Sequence, residues 1–213
     1  MKASSKAEMI RLYEKYYIDR DYEQVDLFQL LKKKYEITNV VYPGSYVQIS
    51  PSFVFPYVAY IDADKKAKKF FSDTNIVVEY ISKRKEYREN PNIEFYEGDY
   101  RDRIIALKGK FDLLISQYAG FISDCCKGYL RIGGYLLVNN SHGDAGLASI
   151  DKDYKLIATV HKSNNRYRLS TKNLDKYFIP KKDIIVTKDY LYETGKGVGY
   201  SKAAPLYIFQ RVS

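Results

Sequence analysis

The chain has 213 residues, 46% of them hydrophobic, so it can bury a full core as one sizeable domain without disulfide or metal staples. Its two cysteines, Cys125 and Cys126, are adjacent, which excludes an ordinary loop-closing disulfide and a spaced zinc pattern; no metal site is expected and the setting reads as reducing and cytoplasmic. A net charge of +9 suits an anionic partner, yet the lysines at 32–34 and between 65 and 69 fall on expected helix surfaces, where they read first as solvated faces.

The N-terminus has no apolar core of signal-peptide length, and no later segment approaches roughly 18 uninterrupted apolar residues, so no membrane contact is expected. Residues 4–34 read as two helices, because Met9, Ile10, Leu12, Tyr13, Tyr16 and Tyr17, and then Val25, Leu27, Phe28, Leu30 and Leu31, recur at helical spacing across a break at 19–21. A regular alternation follows. Strands are expected at 39–42, 57–61, 93–96, 113–116 and 135–139, and helices at 64–71, 75–89, 101–108 and 122–130. Short, almost wholly apolar strands separated by helices imply a mostly parallel central sheet with helices on both faces. Cys125 and Cys126, on the last of these helices, read as core. The tail departs from the pattern: strands at 156–161, 166–170 and 206–212, with a short helix at 174–178, suggest an antiparallel C-terminal edge. Gly195, Gly197 and Gly199 lie in a connection over 180–205 that opens no βαβ unit and reads as flexible rather than as a phosphate loop. One domain over 1–213 is expected, with an N-terminal helical extension (1–34), a core (35–150) and C-terminal strands with their connection (151–213).

In an open α/β sheet, ligands bind beyond the carboxyl ends of the strands, so the strand ends are where chemistry is sought. The first strand runs into Tyr42-Pro43-Gly44-Ser45-Tyr46, a turn whose glycine permits close backbone approach. The second ends in Asp62, near the spacing at which an acid accepts hydrogen bonds from a ribose diol, while Asp64 reads as a helix cap. The third ends in Gly98-Asp99, and Asp99 has two readings, a helix cap or a contact to the adenine end of a nucleoside. The fourth delivers Ser116, Gln117 and Tyr118. The fifth delivers Asn139, Asn140, Ser141, His142 and Asp144 within six residues.

This order of motifs, with FDLLIS as the fourth strand and Leu130 to Gly134 leading into the fifth, resembles the class I S-adenosylmethionine-dependent methyltransferases over residues 35–160. The stretches VVYPGSYVQISPSFVFP and NNSHGDAG are similar to a group of bacterial methyltransferase-like proteins. The resemblance implies a Rossmann-like methyltransferase fold in which Tyr42, Gly44, Ser45 and Tyr46 hold the methionine part of S-adenosylmethionine, Asp62 the ribose and Asp99 the adenine side, with Ser116 also on the cofactor. The acid before the loop and the second glycine of its Gly-x-Gly are replaced by Tyr42 and Tyr46. A pyrophosphate needs several close backbone approaches, normally provided by three glycines, so a single glycine favours a cofactor without phosphates over a dinucleotide.

Methyl transfer from a sulfonium needs chiefly in-line positioning, with a base only where the acceptor loses a proton. His142 suits that base, with Asp144 to orient it, although a histidine in a Ser-His-Gly-Asp turn is more often structural and both residues then simply fix the turn after the fifth strand. Gln117, Tyr118, Asn139 and Asn140 are the candidate acceptor contacts, and the acceptor is either a small molecule or a nucleic acid. A second reading is a non-catalytic relative that binds a nucleoside or RNA, motivated by the altered loop and the positive charge.

Overall fold

The computed structural model describes residues 3–164 and 166–213; Met1 and Lys2 of the expected extension, and Asn165, lie outside the described residues. The chain divides into two compact units, one ending at Asp102 and the other starting at Arg103.

In the first unit α1 (Ala3–Tyr13) continues through a π-helical turn, Glu14–Ile18, and α2 spans Val25–Lys34. Leu27, Phe28 and Leu31 give α2 its buried face, and Asp26 in its first turn and Lys32 to Lys34 in its last suit the helix dipole. Strand β1 (Asn39–Pro43) is followed by no regular helix. Instead the chain makes a 3-10 turn, Ser50–Phe53, with Pro51 at its second position and all of its residues buried, and then enters β2 (Tyr57–Asp62). β2 lies parallel to β1, with Asn39 opposite Tyr57 and Pro43 opposite Ile61. Asp64 caps α3 (Lys65–Phe71), accepting from the N–H groups of Lys66 and Ala67 at 2.6 and 3.4 Å, as the sequence predicts. The expected helix over 75–89 is shorter: α4 spans Thr74–Ser82. Its apolar stripe ends at Ile81, and Lys85 Nζ instead donates to the carbonyls of Tyr87 and Glu89 at 2.7 and 2.8 Å, holding residues 85–89 as a loop. Strand β3 (Asn92–Glu97) is parallel to β2 and mostly half-buried.

A polar network replaces the missing helix after β1. Tyr13 hydrogen-bonds Glu23, and its hydroxyl lies 3.1 Å from Ser50 Oγ, which in turn donates to Gln48 Oε1 at 2.6 Å. Arg84 donates to both Glu23 oxygens at 2.8 and 2.7 Å and lies over the Phe53 ring at 4.4 Å. Through these contacts the N-terminal extension and the segment just after α4 secure the 3-10 turn.

In the second unit the expected helix at 101–108 is only a 3-10 turn, Ile105–Leu107, because Leu107 is its sole buried residue. Strand β4 (Phe111–Ser116) precedes α5 (Ile122–Cys125), a single turn, and then a 3-10 turn, Lys127–Tyr129, in place of the helix expected over 122–130. Cys126 is buried, whereas Cys125 is exposed, since one turn of helix covers only one face. Strand β5 (Leu130–Val138) runs parallel to β4, with Leu113 opposite Tyr135 and Ser116 opposite Val138. Helix α6 (Asp144–Ile150) follows, and then β6 (Tyr154–Ser163) and β7 (Arg166–Ser170), an antiparallel pair. The short helix expected at 174–178 is a 3-10 turn, Leu174–Lys176. Helix α7 (Lys188–Thr194) interrupts the connection read as flexible; Thr187 caps its start and Gly195, at φ +57°, its end. Strand β8 (Leu206–Arg211) runs antiparallel between β5 and β6. Among the described residues no helix is long and apolar enough to cross a membrane, and no cluster of potential metal ligands is present.

Candidate functional site

At the carboxyl end of β1, Gly44 adopts φ +64° and its N–H donates to the Ile61 carbonyl at 2.8 Å, turning the chain back across β2. Ser45 is buried. Tyr46 also has a positive φ, +52°, unusual for a bulky residue, and is held there from two sides. Its backbone N–H donates to Asp62 Oδ2 at 2.6 Å, and its ring meets Tyr16 edge-on at a centroid distance of 5.2 Å. Asp62 Oδ1 accepts from the Asp64 N–H at 2.8 Å. Asp62 is half-exposed, and a carboxylate has roughly four acceptor sites, so capacity for a diol is left after these two bonds.

Tyr16 and Tyr17, which recur at helical spacing in the sequence, lie on the π-helical turn. Tyr16 covers the loop, with the Arg20 guanidinium 4.9 Å from its ring centroid, and burial raises the hydroxyl pKa of Tyr17, with Tyr46 and Asp62 adding to the effect. Helical periodicity alone gives no signal for such a role; the π turn that rotates the two rings is visible only in the fold. Tyr42 is buried on β1. Asp99 caps no helix. Its carboxylate takes the Arg101 backbone N–H and Nε at 2.9 and 2.8 Å and a further bond from Nη2, and these hydrogen bonds lower its pKa to about 2.

In the second unit Ser116, at the end of β4, donates to Asp144 Oδ2 at 2.5 Å. Asp144 also accepts from Ser123 Oγ at 2.5 Å and from the Ser123 N–H at 3.1 Å. This carboxylate is buried, and loss of water raises its pKa to about 6 despite the serine hydrogen bonds, with Asp124 adding a smaller push. Gly143, at φ +91°, starts α6 and turns Asp144 inward, whereas His142 is exposed and has no hydrogen bond among the described residues. The two are therefore not joined as an oriented base. Asn139 Oδ1 accepts from the Ser141 N–H and Oγ at 3.3 and 2.9 Å, and Asn140 Oδ1 accepts from the Gly146 N–H at 2.9 Å, so both side-chain oxygens shape the turn after β5. Gln117 is buried and Tyr118 exposed. Ser123, the second partner of Asp144, carries no sequence motif that marks it.

The sequence matches no family model and no curated protein. Solved structures are similar in fold. A putative O-methyltransferase from Klebsiella pneumoniae aligns with 89% of this chain and 80% of its own at 9% identity and a TM-score of 0.51. A methyltransferase from Geobacter sulfurreducens aligns with 100% of this chain and 90% of its own at 13% identity and a TM-score of 0.47. The O-methyltransferase TomG from Streptomyces achromogenes aligns over 79% and 88% at 11% identity and a TM-score of 0.46. The chain has the mixed α/β, Rossmann-like fold of the class I S-adenosylmethionine-dependent methyltransferases, mostly parallel with an antiparallel edge.

Proposed function

We propose that the protein is an S-adenosylmethionine-dependent methyltransferase. The observation that carries this reading is the link between the turn after β1 and the acid ending β2, Tyr46 N–H to Asp62 Oδ2 at 2.6 Å, in a chain with the methyltransferase fold. Asp62 keeps acceptor capacity toward a ribose diol, and Gly44, the one glycine of the β1 turn and at φ +64°, leaves space for the methionine part where a pyrophosphate would require more close backbone approaches. The residues present thus fit this cofactor.

When bound, the cofactor supplies an electrophilic methyl group on a sulfonium sulfur. Asp62 orients the ribose, and Gly44, Ser45 and Tyr46 border the methionine part beside Tyr42. Because Asp99 is engaged by Arg101, the adenine side is contacted by the backbone at 98–99 rather than by that carboxylate. Ser116 and Asp144 act as an anchor for the strand ends of β4 and β5, not as a proton relay. Exposed His142 takes a proton from a hydroxyl acceptor, with Gln117, Tyr118, Asn139 and Asn140 as acceptor contacts.

Calorimetry with S-adenosylhomocysteine, and labelled methyl incorporation from S-adenosylmethionine into fractions of a cell extract, test the reading. Micromolar binding with incorporation is expected. Absence of binding removes the cofactor assignment, and binding without incorporation into any fraction makes the protein a non-catalytic nucleoside binder.

A further inference from the structure

Among the described residues, six other than glycine adopt a positive φ. Asp21, Asn164 and Asn173 belong to the types that tolerate it. The other three are aromatic, and for two of them the fold shows what holds the conformation. The Tyr46 ring packs on Tyr16, and the Phe178 ring lies 4.7 Å from Tyr207 and 5.1 Å from Tyr200. Tyr118 differs. At φ +60°, its side chain has no hydrogen bond or ring contact among the described residues, and the residue is 60% exposed.

The loop around Tyr118 is nevertheless firmly anchored. On one side Ser116 is bound to Asp144; on the other the Ser123 N–H and Oγ bind the same carboxylate. Between them Phe121 stacks on Tyr192 of α7 at 4.3 Å, and the Tyr192 hydroxyl donates to Asp124 at 2.7 Å. A strained conformation persists where its surroundings over-determine it, and here those surroundings hold an unpacked aromatic ring out at the carboxyl end of β4, where ligands of open α/β sheets bind. With the backbone already fixed, only the two side-chain torsions of the tyrosine remain to be ordered when a partner stacks on its ring. Residues 117–126 contain no lysine or arginine, and the cation nearest the loop on α7, Lys188, is paired with Asp124 at 2.7 Å, which disfavours a phosphate-bearing strand and suits a small uncharged ligand.

The geometry points to Tyr118 as a preorganised stacking platform for a small planar aromatic ligand. Resting on the methyltransferase reading, that ligand is the ring of a hydroxylated aromatic acceptor.

The chain contains no tryptophan, so Tyr118→Trp installs a single fluorescent reporter that keeps an aromatic face. Catechol is titrated against cyclohexane-1,2-diol, which carries the same two hydroxyls on a non-planar ring, with a single-stranded RNA as a third arm. Saturable quenching by catechol and none by the diol is expected. In the otherwise native chain, Tyr118→Gly is expected to raise Tm by about 2–4 °C through relief of strain while lowering catechol affinity at least fivefold. Equal responses to catechol and diol, no response to either, a response to RNA alone, or unchanged catechol affinity in Tyr118→Gly would overturn the platform. S-adenosylhomocysteine binding to the native protein is scored separately. Its absence removes the methyltransferase reading and leaves a catechol response as evidence for the platform alone.

Discussion

The Asp62 carboxylate accepts the backbone N–H of Tyr46 at 2.6 Å, which joins the end of β2 to the one residue of the β1 turn that stands where a glycine would be unstrained. The acid is both a ligand candidate and a brace. Asp62→Ala removes acceptors for two backbone N–H groups, and each such loss costs about 1–2 kcal/mol where water replaces the bond incompletely. We expect that variant to bind S-adenosylhomocysteine at least tenfold more weakly and to unfold at a lower urea midpoint. Asp62→Asn keeps one acceptor oxygen and should recover stability more than affinity. Unchanged affinity in both variants, measured by calorimetry, would show that the carboxylate is a brace only.

The Glu23–Arg84 pair tests what replaces the helix after β1. Both side chains are half-buried, at 22% and 31% exposure, and the two bonds form a bidentate pair at 2.8 and 2.7 Å. Its environment lies between that of a surface pair, worth about 0–1 kcal/mol, and that of a fully buried one, whose disruption costs about 3–5 kcal/mol. Arg84→Met therefore should destabilise by about 2 kcal/mol, part of it from the lost contact with Phe53. Tyr13→Phe should cost about 1 kcal/mol by removing the hydroxyl from the same network. Urea unfolding of both single variants and the double variant should give a non-additive result, because Glu23 is shared; strict additivity would mean that the network acts as separate contacts.

Asp144 supplies a pH prediction. Its folded-state pKa of about 6 lies above the ordinary carboxylate value, so the folded protein holds a proton that the unfolded chain has released. Stability from this group is fully present below about pH 4 and is lost as pH rises to about 6, with an upper scale of about 3 kcal/mol from the size of the shift. Asp144→Asn removes the charge while still offering an oxygen to Ser123 and an amide to the reversible Ser116 hydroxyl. Relative to the native chain, the variant should gain stability between pH 4 and 7. Denaturation curves that keep a constant separation across that range would refute the raised pKa.

The alternation that sets the fold class was legible because β1, β2 and β4 are nearly continuous apolar runs, and such runs need both faces covered. Helix lengths were less legible. The stretch after Ile81 keeps helix-forming residues but no buried stripe, and propensity without burial does not extend a helix. Helix α7 leaves no sequence signal because its only buried residue is Leu191; its other supports, Phe121 and Asp124, lie some seventy positions away in the chain. In the candidate site, the strand-end positions followed from the apolar pattern, but directions did not. The two-residue spacing of His142 and Asp144 suggested a pair, and the left-handed Gly143 between them separates an exposed imidazole from a buried carboxylate.

The glycine-rich connection 195–199 provides an internally controlled test of whether it is a flexible tether or a packed strap. A Cβ built on Gly197 would lie 2.4 Å from the Asn140 carbonyl oxygen and 2.9 Å from its Nδ2, so the backbone there passes too close to the turn after β5 for any side chain. Gly199 meets nothing within 4 Å and does not need a positive φ. Gly197→Ala should therefore push the segment from Asn140 and destabilise by about 2 kcal/mol or more, as overpacking against backbone does. Gly199→Ala should be neutral or stabilise by up to about 1 kcal/mol through the unfolded state. Hydrogen exchange should show faster opening of 188–200 in the first variant and native rates in the second. If the two alanines behave alike, the connection is a tether, and the turn carrying Asn139 and Asn140 is shaped without it.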